Sequence, residues 1–357
     1  MAIGKYTMRG VLCALVTVLV LASPLRAKSP ALRIVQTNSA GTTVSVIDPA
    51  TNRVVGTIHD IEANHGASAA PDGSKLYVTN ESGSTLDVVD AVSLKVIKRI
   101  PLSGHPNNVA ISKDGARVYV AVAVAPGAVD VIDTVTLTNA KSIPIKGAVH
   151  NTFITPDGKY VIAGSVAGKT LTVINQKTEE PDWVMTFDGG VRPVAFEKNP
   201  DGSTRRMYVQ ISELHGFAVV DFATHQEINR ITLPDSPDRV KNLDGVQGSP
   251  SHGIGITPDG KTLWATSKWF GYAYCYSMPD LEFLGKVDVG LGPEWLTFTP
   301  DGKSMYVGVA GEDVTAVVDV KAMKLVTKIP VGYTPKRIIT AMLKTGDEHT
   351  TADRQNR

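Results

Sequence analysis

Apolar residues in this chain fall in short runs separated by polar turns, and the arrangement of the runs recurs. Within residues 107–148, Asn108 to Ser112 forms one apolar run and Val118 to Val122 a second. Ala128 to Asp133 forms a third, with apolar and polar positions alternating, and a fourth surrounds Lys141 to Ile145. Such runs predict short strands, half-buried where the pattern alternates. Asp114-Gly115 predicts a tight turn between the first two, because glycine tolerates the positive φ that hairpin turns need. The phrase Pro-Asp-Gly recurs at Pro71–Gly73, Pro156–Gly158, Pro200–Gly202, Pro258–Gly260 and Pro300–Gly302, with Lys113–Gly115 as a variant. Four short strands repeating every ~42 residues predict one blade of a propeller per repeat.

Counting the runs shows how the ring closes. First strands begin near positions 65, 107, 150, 192, 252, 294 and 336, and sets of second-to-fourth strands near 32, 76, 118, 160, 206, 262 and 304. The first set lacks a strand before it and the last strand lacks a set after it, so the two ends complete one blade. The expected fold is an all-β, seven-bladed β-propeller of four-stranded antiparallel blades over residues 28–343. It closes by pairing N-terminal strands with the C-terminal inner strand, which removes an exposed sheet edge.

The repeat also carries a family resemblance. LYVTN at Leu76–Asn80, followed by TLDVVD at Thr85–Asp90, resembles the YVTN β-propeller repeat proteins. Related wording recurs at 118–122, 207–211, 263–267 and 305–309, and the likeness extends from about Leu32 to Met342. It implies the propeller fold. The wider group resembles surface-layer repeats, streptogramin lyases, lactonases, cytochrome d1-type haem proteins and copper reductases, and no enzyme family's full motif is reproduced.

The ends and the bulk composition narrow the setting. Lys5 and Arg9 precede an apolar run from Val11 to Ala22, and small residues follow. That pattern predicts a signal peptide over 1–27, cleaved after Ala22 or Ala27, and a periplasmic or extracellular protein. The alternative is an uncleaved anchor; after cleavage no transmembrane anchor is expected. Cys13 would leave with the signal, so Cys275 alone remains and no internal disulfide is expected. The polar segment 344–357 predicts a disordered tail. The net charge is +1, from 36 basic and 35 acidic residues without a basic block, so no nucleic-acid partner is expected. A monomer is the expectation.

Function is sought in the position that does not repeat. Measured back from the Pro-Asp-Gly phrase, the start of each inner strand reads His65, Asn107, His150, Arg192, His252, Glu294 and Lys336. All seven are polar and should converge on one mouth of the channel. This ring is the candidate site for a small polar or anionic ligand or for a loop of a partner protein. The plainer alternative is a wet funnel in which Arg192 or Lys336 pairs with Glu294. His65, His150 and His252 form a candidate three-histidine site for copper or zinc. Loops between second and third strands add Glu81, Glu213, His215, Lys268, Trp269 and Glu312 to this face, with His105 as an outer neighbour.

Glu294, Arg192 and His215 are candidate catalytic groups, since Glu, His and Arg together support acid–base chemistry on an anion. By residue type they resemble the sites of propeller lactonases. Trp269 could cover an apolar ligand face, whereas Trp295 is expected to wedge between blades. The spacing from Arg192 to His252 is 60 residues rather than 42, and the extra loop Pro234–Pro250 is a candidate lid. Four functions remain open: a ligand-binding propeller, a lactonase-like hydrolase or lyase, a copper or zinc metalloprotein, and a protein-interaction scaffold.

Overall fold

A computed structural model describes residues 30–243 and 248–346, together with Met1 and Gly4. The expected signal segment and most of the expected tail lie outside the described residues. Seven four-stranded antiparallel sheets surround a central channel, as the repeat predicts. Counted from the sheet that holds the N-terminal strand, the inner strands are Pro335–Leu343, Asn64–Ala69, Pro106–Ile111, Val149–Ile154, Val191–Lys198, Ser251–Ile256 and Pro293–Phe298, in blades 1 to 7. Blade 1 joins the two ends of the chain: Ala31–Asn38 pairs antiparallel with Pro335–Leu343, from Ala31 opposite Leu343 to Asn38 opposite Pro335. Among the described residues no helix is long and apolar enough to cross a membrane.

The core lies between blades. One cluster joins Val35 and Val46 of blade 1 to Ala67, Leu76 and Val78 of blade 2, and another joins Tyr208 and Phe217 of blade 5 to Leu263 and Tyr274 of blade 6. The aromatic of the repeated second-strand phrase accounts for Tyr77, Tyr119, Tyr208, Trp264 and Tyr306, all of them buried. Each such ring contributes about 1.5–3 kcal/mol of burial. A propeller has no single centre, and these rings are the apolar mortar between neighbouring sheets. The Pro-Asp-Gly aspartates serve their turns: Asp72 accepts from the backbone N–H and hydroxyl of Ser74, and Asp259 from the Thr257 hydroxyl and the Lys261 N–H.

A second regularity positions the site. In each inner strand the pairing register breaks near its start: between Asn64 and Ala67, Pro106 and Val109, Val149 and Asn151, Val191 and Val194, Ser251 and Ile254, and Pro293 and Leu296. In blade 1 the break falls opposite Lys336 and Arg337, between the partners of Asn38 and Gln36. All seven predicted mouth residues lie inside these bulges. A bulge interrupts the ladder and re-aims side chains, which frees these residues to face the channel.

Three bulges are tied to the preceding blade by a second-strand threonine. Thr37, Thr79 and Thr266 donate their hydroxyls to the carbonyls of His65, Asn107 and Glu294 at 3.0, 2.7 and 2.9 Å. Thr79 and Thr266 also accept the freed N–H groups of Gly66 and Gly253, each at 2.7 Å.

Candidate functional site

The mouth residues sort into two groups. On blades 2 and 3, Glu81 is the hub. His65 Nδ1 lies 3.0 Å from Glu81 Oε1, Asn107 Nδ2 donates to the same oxygen at 3.3 Å, and His105 Nε2 lies 3.6 Å from Oε2. The His150 ring meets His65 edge-on at 6.1 Å, and its Nδ1 lies 2.8 Å from the Asn151 amide. Burial holds the His150 imidazole well below its usual pKa, with Arg192, His65 and Lys336 adding to the effect. His150 is therefore neutral near pH 7.

On blades 6, 7 and 1, Glu294 is the hub and is 1% exposed. Its Oε1 accepts from two ammonium groups, Lys268 Nζ at 2.8 Å and Lys336 Nζ at 2.7 Å. His252 Nδ1 lies 3.3 Å from Glu294 Oε2 but off hydrogen-bond alignment, so each of these buried atoms lacks a hydrogen-bond partner. Burial alone would raise the Glu294 carboxyl; His252, Lys336 and Lys268 reverse this and hold it ionised. Burial keeps His252 neutral despite the carboxylate, helped by Lys268, Arg192 and Lys336. The two ammonium groups hydrogen-bonded to its Oε1 keep Glu294 ionised beside a neutral imidazole, although burial lowers the Lys268 pKa. Two ammonium groups on one carboxylate leave a surplus positive charge here. Arg192 stands between the two groups; its Nε donates to Ser212 Oγ at 2.9 Å, and it feels the charges of Glu294 and Glu213.

Several expectations are corrected. His65, His150 and His252 do not form a three-histidine metal centre. Among the described residues no three His, Cys, Asp or Glu side chains are grouped to hold a metal ion. Ligands of one zinc or copper ion must all sit about 2 Å from a common point. Here His252 faces Glu294 while His150 faces Asn151.

His215 does not join Glu213 and Arg192. It is buried under the extra loop, with Nε2 2.8 Å from Ser267 Oγ and its ring 5.1 Å from Trp269 and 5.4 Å from Phe270. Burial pulls its pKa down to about 4. Trp269 packs there too, against His215 and beneath the Lys241 ammonium at 4.4 Å, rather than over the channel. Glu312 is spent on Lys328 at 2.5 Å and on the Leu291 N–H. Trp295 lines the channel, 6.1 Å from Phe153 on the opposite wall and 5.3 Å from His252, and also packs with Ile34, Tyr306 and Ile338 in the seam between blades 7 and 1. Of the extra loop, the described residues fasten to blade 6 through Tyr272–Asp238, Lys286–Ser236 and Arg239–Asp288.

Sequence reasoning missed Arg337. Its signal is its place beside Lys336, where five of the other six inner strands carry Gly, Asn or Pro and Pro293–Phe298 carries Trp295.

Comparison with known proteins agrees with the fold. A family model described as the Cytochrome D1 heme domain matches residues 29–199, just under half of the chain. No curated protein matches. Among solved structures, Kuenenia stuttgartiensis hydrazine synthase is 21% identical with a TM-score of 0.70, covering 85% of this chain and 99% of its own. The Pseudomonas aeruginosa periplasmic gluconolactonase is 20% identical with a TM-score of 0.69, covering 87% of this chain and 100% of its own. A putative 6-phosphogluconolactonase from Bacteroides fragilis is 18% identical with a TM-score of 0.69, covering 89% of this chain and 100% of its own. At these identities the likeness is one of fold.

Proposed function

We propose that the channel mouth binds a small polyhydroxylated carboxylate, the chemistry of a sugar acid. The observation that carries this reading is the shared oxygen of Glu294. Two ammonium groups on one buried carboxylate oxygen leave a positive charge for an anionic ligand to neutralise. The orphan acceptors Asn107 Oδ1 and Glu294 Oε2 then suit ligand hydroxyls as donors. The gluconolactonase-type neighbours support the same ligand class. The positive, apolar and small-residue order of the N-terminal segment supports delivery to the periplasm, which cell fractionation of the full chain tests.

A second reading is hydrolysis of the corresponding lactone. Neutral His252 beside an ionised carboxylate supports it, since such an imidazole can accept a proton from attacking water.

Calorimetric titration with gluconate tests the first reading. Saturable binding is expected, weakened at least tenfold by Lys336→Met. Absence of heat and of any melting shift at millimolar gluconate overturns it. Proton release from glucono-δ-lactone tests the second. A rate no higher for the wild type than for His252→Gln removes the hydrolase.

A further inference from the structure

Beyond the polar ring, toward the Pro-Asp-Gly turns, the inner strands line an open chamber of about 500 Å³. It extends from Trp295 to Pro156, the first residue of one such turn, and every blade contributes to its wall. Its lining residues are mainly apolar in type, among them Val109, Phe153, Phe196, Ile254 and Leu296. Four residues bring polar side-chain groups to it: Arg337, Trp295, Ser68 and Thr152, whose hydroxyl donates to the Tyr119 carbonyl. Arg337 Nε, Trp295 Nε1 and Ser68 Oγ are all buried, and none has a hydrogen-bond partner.

These orphan groups share a chemistry. An indole N–H and a guanidinium N–H only donate, and a hydroxyl donates readily. The Arg337 guanidinium lies 4.1 Å from the Trp295 ring and 5.5 Å from the Phe153 ring, and it has no ion pair among the described residues. The ring faces replace only part of the hydration that the half-buried guanidinium gives up. Burial accordingly pulls Arg337 down to about 10. A cation and two further donors in an apolar chamber call for oxygen acceptors carrying negative charge on an apolar body. A volume of about 500 Å³ suits one small organic molecule.

We propose that this chamber is a second binding site, taking a small aromatic or apolar monocarboxylate with its carboxylate on Arg337 and its body against Trp295, Phe153 and Phe196. The site uses none of the residues assigned to the sugar acid, so each can fail without the other. Benzoate is the probe and benzyl alcohol its uncharged counterpart, titrated by calorimetry into the full chain. Benzoate is expected to bind one to one and at least tenfold more tightly than the alcohol. Arg337→Met is expected to weaken benzoate at least tenfold while leaving gluconate binding unchanged.

Ala110→Phe, which fills the chamber from blade 3 and keeps the guanidinium, is expected to abolish benzoate binding; it decides the matter alone if Arg337→Met does not fold. Equal affinity for acid and alcohol overturns the proposal, as does benzoate binding that survives in the folded variants. Failure of both probes to bind assigns the three donors to solvent and overturns it as well.

Discussion

Glu294 shows why single residues at this mouth carry both stability and function. Its buried carboxylate is the common acceptor of Lys268 and Lys336. Removing one partner of a buried charge pair typically costs about 3–5 kcal/mol, because the other charge stays buried without compensation. Glu294→Gln is therefore expected to lower the unfolding free energy, read by urea titration, by about 3–5 kcal/mol. Lys336→Met should cost much less, since Lys268 still pairs with the carboxylate. The buried imidazoles predict acid lability. His215 titrates at about 4 when folded, because of burial, against an ordinary value of 6.5. Between those values the unfolded chain binds more protons than the folded one, so stability rises with pH in that window and is lost as pH falls through it. At full extent His215 alone accounts for about 3 kcal/mol. His150 and His252 shift in the same direction. Thermal melts from pH 7 to 4.5 should show a steep fall, shallower in His215→Asn; an unchanged slope would contradict this assignment.

At the scale of one strand, the bulge is the device that turns a repeat into a site. It takes two residues out of the ladder in most blades, and the second-strand threonine repairs part of the loss by bonding the bulged backbone and the next blade together. Thr266→Val should leave the Gly253 N–H and the Glu294 carbonyl without that hydroxyl, at a cost of about 1–3 kcal/mol. Thr266→Ser should restore most of it, as read by urea unfolding. Weakening of gluconate by the valine variant alone would tie the stitch to Glu294's position. Thr79 and Thr266 fall within the repeated second-strand phrase at 76–80 and 263–267. Nothing in a period-two pattern marks a residue as skipped by its partner strand. The mouth positions were legible because the turn phrase is a fixed ruler. Where each side chain then goes was not: His215 and Trp269 share the loop face with Lys268, yet only Lys268 reaches Glu294.

For the whole molecule, closure is the controlling feature. Pro335–Leu343 supplies the inner strand of a blade whose other three strands begin some three hundred residues earlier. A chain ending at Thr334 leaves Ala31–Asn38 as an unpaired edge and deprives the mouth of Lys336 and the chamber of Arg337. It is expected to lose its cooperative thermal transition and to aggregate, as checked by circular dichroism and gel filtration. Strand number, blade number, closure and the membership of the ring follow from the sequence alone. Each rests on local periodicity and on spacing along the chain, which the backbone's fixed strand and turn geometry converts directly into positions. Only the tertiary structure decided that Glu294 draws two lysines to one oxygen, that His215 lies beneath the extra loop, and that the three histidines part company. It alone also placed Arg337 in an apolar chamber with Trp295 and Ser68. Those outcomes depend on which side chains from different blades, 26 residues apart for Lys268 and Glu294 and 42 for Lys336 and Glu294, come within a few ångströms at the channel. That distance is set by the assembled ring, where burial and competing charges choose the partner.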